Sequence, residues 1–135
     1  MAYSISEIDG LTAFAATRLK KAGIRTMESL LEAAHSAKCR KELSAKTGFT
    51  EQQLLEWANL ADYLRIPGMG AAKAELLRAY GVNTVRELKH RNPARLAQAM
   101  REANETRKLV RVLPSEKSVG ELIEKARQLP LKISY

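Results

Sequence analysis

The stretch Pro67-Gly68-Met69-Gly70 sets two glycines one residue apart, directly before the helix-favouring run Ala71-Ala72-Lys73-Ala74-Glu75-Leu76-Leu77. Residues of these types in this order suit the capture of an anion. Glycine tolerates backbone angles closed to other residues and, lacking a Cβ, lets a second backbone come close. A helix that begins near Ala71 leaves its first N–H groups without intrahelical acceptors, and its dipole concentrates partial positive charge at the same place. A phosphate group fits such a terminus. Lys73, in the first turn, adds a full charge beside it, while Ile66 and Met69 point inward and hold the turn. Ala74 is small enough for the preceding helix to pack against. Arg65 and Arg78 flank the stretch, so Arg65, Pro67, Gly68, Met69, Gly70, Lys73 and Arg78 form the candidate anion-contact set.

Other chemistries find less support. His35 and Cys39 stand four residues apart, a spacing that would bring two metal ligands together on one helix, but Ser36 reads as a cap that interrupts it. His90 is the one other imidazole in the chain, and a structural zinc site takes four protein ligands, so no metal is expected. Phosphodiester hydrolysis generally needs clustered carboxylates to hold metal ions, and residues 63–113 offer only Glu75, Glu87, Glu102 and Glu105. No Walker loop, Gly-x-Ser-x-Gly elbow or activated cysteine stands out. The expectation is therefore no enzyme and no cofactor. Residues 40–57 also fit a helix-turn-helix, yet the second helix would open Glu51-Gln52-Gln53 and continue to Glu56. Two glutamates facing a polyanion argue against base reading there.

The elements that must position the glycine turn come as a repeat. Residues 8–30, IDGLTAFAATRLKKAGIRTMESL, align without gaps on residues 66–88, IPGMGAAKAELLRAYGVNTVREL. Ile8/Ile66, Gly10/Gly68, Ala13/Ala71, Ala16/Ala74, Leu19/Leu77, Gly23/Gly81, Thr26/Thr84 and Leu30/Leu88 are identical, which marks two copies of one unit. Gly23 and Gly81 fall where helix C-terminal caps belong, and Thr26 and Thr84 follow as N-caps, Thr84 with Glu87 in capping-box spacing. Thr50 with Gln53 and Ser118 with Glu121 repeat that signature. Asn92-Pro93 joins an N-cap to a proline at the first helical position, while Gly48 and Pro114 close helices. These signals predict helices near 4–8, 12–22, 27–35, 37–47, 51–65, 71–80, 85–91, 94–112 and 119–129. Only the tail Leu131-Lys132-Ile133-Ser134-Tyr135 hints at a strand. Leu54, Trp57, Ala61 and Leu64 share one helical face, which predicts a core role for Trp57 and a spine between the copies.

The pattern apolar-x-Gly-apolar-Gly-x-x-x-Ala-x-x-Leu, met by Ile66, Gly68, Met69, Gly70, Ala74 and Leu77, resembles the helix-hairpin-helix motif. The whole chain, with its AGIRT and YGVNT continuations, is similar to a bacterial family of tandem helix-hairpin-helix proteins, domain of unknown function 4332. The resemblance implies an all-α fold of two helix-hairpin-helix (SAM-domain-like) repeats packed as one compact helical domain. Residues 1–62 would hold the first repeat and the spine helix, and 63–135 the second repeat, the C-terminal helix and the tail. It also implies hairpin amides that grip one DNA strand's backbone without reading sequence. No established activity comes with the family. The first copy departs from the motif, with Asp9 in place of the proline and Thr12 in place of the second glycine. Like-charge repulsion makes an aspartate there unfavourable for a phosphate, and Glu7 adds to it. Gly10, Leu11 and Thr12 are accordingly expected to form a structural or degenerate hairpin, or a face for a protein partner.

Charge follows the same asymmetry. Residues 1–62 carry eight basic and eight acidic side chains, residues 63–113 eleven and four, and residues 114–135 four and three. Most of the net charge of +8 thus lies in the segment that contains both glycines, which favours a polyanionic partner. Arg86, Lys89, Arg91, Arg95, Arg101, Arg107, Lys108 and Arg111 are available to extend a backbone track. A length of 135 residues, 45% of them hydrophobic and 28% charged, fits a soluble globular chain with a real core. No apolar run approaches the roughly 20 residues of a membrane span. MAYSISEIDG lacks a basic start and an apolar h-region, and Cys39 has no internal disulfide partner. A cytoplasmic, reducing setting is expected. The expected function is a non-enzymatic module that contacts duplex DNA, without sequence preference, through the second hairpin. The alternative is a protein-interaction or scaffolding helical domain without nucleic acid, to which LVRVLP and the tail would contribute.

Overall fold

The computed structural model describes residues 4–7 and 11–135. The chain is all-α. A 3-10 turn at Ile5–Glu7 precedes α1 (Ala13–Lys21), α2 (Met27–Ala33), α3 (Ala37–Thr47), α4 (Glu51–Tyr63), α5 (Gly70–Tyr80), α6 (Val85–Leu88), α7 (Pro93–Arg107) and α8 (Glu116–Gln128). Among the described residues there is no strand, only a single antiparallel bridge between Ser4 and Thr26. Two compact units result: Met1–Asp62 with Lys132–Tyr135, and Tyr63–Leu131.

In the first unit, local signals set each helix end. Thr12 begins α1 by accepting the Ala15 N–H at 3.1 Å. Gly23 ends it at φ +90°, with the Ile24 N–H turned back to the Leu19 carbonyl at 2.9 Å. Thr26 and Ser29 cap α2 reciprocally. Ser36 caps α3 through the Cys39 N–H, so the break between His35 and Cys39 falls where the sequence places it. Thr50 and Gln53 exchange bonds of 2.9 and 3.0 Å at the start of α4. Leu19, Leu30, Leu54, Ala58 and Ala61 are buried together with Trp57, whose ring meets Phe49 edge-on at 5.0 Å. Trp57 is therefore a core residue. Leu64 lies past the end of α4 and is half-buried.

Residues 132–135 form no strand. Ile133 is buried, the Ser134 N–H donates to the His35 carbonyl at 2.7 Å, and the Tyr135 hydroxyl donates to Asn59 Oδ1 at 2.9 Å. Arg40, only 4% exposed, donates to the carbonyls of Ala34 (2.9 Å) and Ser134 (2.8 Å). A buried guanidinium is tolerated when its donors are satisfied in this way.

In the second unit α5 packs on α7, and α7 and α6 pack on α8. Leu76, Leu77, Leu88, Met100 and Ile123 are fully buried between them, each contributing about 1.5–3 kcal/mol. Gly81, at φ +101°, closes α5 as Gly23 closes α1, with the Val82 N–H on the Leu77 carbonyl at 2.9 Å. The Tyr63 hydroxyl donates to the Val82 carbonyl, and the Thr84 carbonyl lies 3.2 Å away.

Three helix ends differ from the sequence expectation by three residues or more. α6 stops at Leu88, not near 91, because the His90 and Arg91 N–H groups turn to the Glu87 and Leu88 carbonyls, three residues back, each at 3.1 Å. α7 stops at Arg107, not near 112, because Lys108 turns left-handed (φ +52°) and the Asn104 amide bonds both the N–H and the carbonyl of Val110, each at 3.1 Å. α8 starts at Glu116, because Ser115 takes the N-cap and accepts the Ser118 N–H at 3.1 Å. The Ser118 hydroxyl instead donates to the Ser115 carbonyl.

Candidate functional site

The turn before α5 is built from two backbone bonds, Ile66 N–H to the Tyr63 carbonyl at 3.0 Å and Met69 N–H to the Ile66 carbonyl at 3.1 Å. The side chains of Ile66 and Met69 are buried as anchors, which leaves Pro67, Gly68 and Gly70 at the surface. Gly68 and Gly70 adopt φ values of +85° and +68°, the left-handed region that costs an L-residue roughly 1–2 kcal/mol. A Cβ on Gly70 would meet no atom within 4 Å, so its surroundings are open.

The two copies differ at the helix start itself. No side chain caps α5, and the amides of Gly70, Ala71 and Ala72 donate to no acceptor among the described residues. In α1 the Thr12 hydroxyl caps the helix by taking the amide of Ala15, the counterpart of Lys73, while the amides of Ala13 and Phe14 likewise donate to no acceptor among the described residues. Leu11 is half-buried and Thr12 exposed, whereas Gly10 and its neighbours Ile8 and Asp9 lie outside the described residues.

Two ammonium groups reach the second turn. Lys73 Nζ donates to the Gly68 carbonyl at 3.0 Å, and Lys125 Nζ donates to the Pro67 carbonyl at 3.3 Å. They offset the carbonyl dipoles of the turn and leave an excess of positive charge beside the open amides. Lys125 is absent from the sequence-derived set, since it lies on α8, 58 residues from Pro67. The signal for it is helical: three residues after the buried Leu122, it shares the face that meets Gly68.

The two arginines of the candidate set are engaged by other partners. Arg78 is ion-paired with Glu75 at 2.8 Å, and Arg65 donates to the Pro130 carbonyl at 3.2 Å. Met69 offers a ligand only its backbone. Arg86, Arg95 and Arg101 are exposed, and Arg91 lies 4.0 Å from Glu87. On α4, Glu51, Gln52, Gln53 and Glu56 lie at or near the surface, and Gln52 bonds Glu56 at 3.4 Å. Among the described residues no three His, Cys, Asp or Glu side chains gather as metal ligands, and no helix is long and apolar enough to cross a membrane.

Comparison with the curated proteins and with solved structures gave no match. A family model described as "Domain of unknown function (DUF4332)" matches residues 9–129, a span that includes all eight α-helices. The chain therefore belongs to the DUF4332 family.

Proposed function

We propose that this chain is a non-enzymatic DNA-binding module of the helix-hairpin-helix type, which holds duplex DNA by its phosphate backbone at Pro67, Gly68 and Gly70. The observation that carries this reading is the contrast between the two helix starts: Thr12 caps α1 at the Ala15 amide with its own hydroxyl, whereas α5 opens at Gly70 with no side-chain cap. A phosphate seated on the free amides would lie beside Lys73 and Lys125. A turn of glycine and proline presents no side chain able to reach base edges, so contact is independent of sequence. A reducing cytoplasmic setting is consistent with the single free thiol of Cys39.

Titration of a labelled duplex by fluorescence anisotropy at several salt concentrations tests the proposal. Engagement of two or three phosphates gives a log–log salt slope of about −2 to −3. No binding at low salt overturns it. A protein-interaction reading has one observation in its favour, the exposure of Leu109 (37%), Val112 (83%) and Leu113 (42%) between α7 and α8. Under that reading duplex binding is absent, and Val112→Asp abolishes capture of the partner.

A further inference from the structure

Position by position, the repeat aligns Phe14 with Ala72 and Arg18 with Leu76. The consequences in the two units are opposite. Leu76 is fully buried on α5, whereas Phe14 is 66% exposed and Arg18 is exposed with it on α1. In the first unit the space is an open hollow of about 600 Å³, lined by Phe14, Arg18, Lys21 and Ala22 of α1 and its C-terminal end and by Lys46 and Thr47 of α3. Its size falls within the range of about 300–1,000 Å³ usual for small-ligand sites.

Among the described residues, three cations and no carboxylate line this hollow. Arg18 lies between two rings, 5.5 Å from the centroid of Phe14 and 5.9 Å from that of Phe49. Phe49 is in turn held edge-on by the buried Trp57. The guanidinium also lies over Gly48, where an added Cβ would come 3.5 Å from Nη2. Arg18, Lys21 and Lys46 make no side-chain hydrogen bond or ion pair among the described residues. These cation–ring contacts position a planar cation whose donors remain available, at lower ordering cost than a free side chain.

We infer that the hollow between α1 and α3 is a second, separate anion site that takes a phosphate-bearing base, either a free nucleotide or one unit of a single strand. Arg18, Lys21 and Lys46 hold the phosphate, and the base stacks on the exposed Phe14 ring. An acidic peptide would satisfy the cations and leave the phenyl ring uncovered. A duplex keeps its bases inside the stack, so this site favours single strands. The inference does not rest on the second hairpin, which lies in the other unit.

Anisotropy of a labelled oligothymidylate with the full chain tests it, with circular dichroism of each variant as the control for folding. Arg18→Leu installs the residue found at the equivalent position 76, and Phe14→Ala the one found at 72. Arg18→Leu weakens binding on the order of tenfold and makes the salt slope less negative, by at most about 0.7, the value of one single-strand phosphate. Phe14→Ala weakens the thymidylate strand on the order of tenfold and leaves an abasic strand of equal length unchanged. If Arg18→Leu perturbs folding, Lys46→Gln reads the same change in slope. Displacement by thymidine 5′-monophosphate assigns the site to free nucleotides, and retention against it assigns the site to strands; both uphold the site. Wild-type affinity in all variants, equal binding of abasic and thymidylate strands to the wild type, or equal displacement by a polyglutamate of matched charge overturns it.

Discussion

Replacing Gly70 with aspartate, and separately with asparagine, isolates the charge of a phosphate site from its shape. The residue sits at φ +68°, and a Cβ added there would meet no atom within 4 Å, so neither side chain clashes at its root. Asn and Asp are the residues that accept the left-handed region best after glycine, and each should cost about 1 kcal/mol of stability. Neither can copy the cap of Thr12, which needs φ −68° and ψ 160°. The two variants therefore differ in charge alone. A carboxylate about 5 Å from a bound phosphate repels it by roughly 1–3 kcal/mol for effective dielectric constants between about 80 and 20. Gly70→Asp should bind labelled duplex about 5- to 100-fold more weakly than wild type, and Gly70→Asn within about threefold of it. The gap should narrow from about 10 to about 150 mM salt, as the Debye length falls from about 30 to about 8 Å. Equal affinity of the two variants, with both folded by circular dichroism, would refute the placement of a phosphate at the start of α5.

Three further expectations concern stability. Arg40→Ala removes the donors to Ala34 and Ser134 and leaves a buried carbonyl bare, so thermal unfolding should shift down by about 10 °C for a loss of roughly 2–3 kcal/mol. Lys108→Gly should raise the melting temperature by about 3–5 °C, since Lys108 is the one non-glycine residue with positive φ among the described residues; Lys108→Val should lower it. Tyr63→Phe deletes the buried hydroxyl that serves the Val82 carbonyl, costing about 1–2 kcal/mol in urea unfolding at unchanged m-value.

Most features encoded within four residues of chain are legible in the sequence, the start of α8 excepted, where Ser115 and Ser118 offer the same local signal and Ser115 takes the cap. Thr26, Ser36, Thr50 and Asn92 cap helices, and Gly23, Gly48 and Gly81 close them, because each acts through its immediate neighbours. The end of α7 is not legible, since it depends on an asparagine bonding six residues onward and a lysine adopting a glycine-like angle. The open helix start at Gly70 is legible as a pattern, but Lys125 beside it is not, because α8 brings it there from 58 residues away. The same holds for Arg18. Alignment with Leu76 acquires meaning only once Leu76 is known to be core and Arg18 to stand over an open hollow.

The bond from Arg40 to Ser134 spans 94 residues, and its consequence is kinetic. Residues 132–135 complete a unit whose other residues all precede position 63. At a synthesis rate of about 5–20 residues per second, Arg40 waits roughly 5–20 s after its own incorporation before Ser134 exists. During that interval the Ala34–Arg40 corner lacks its last acceptor, while all of Tyr63–Leu131 is being made. Nascent chains arrested before residue 132 should therefore expose α2 and α3 to protease, and release of the last four residues should protect them.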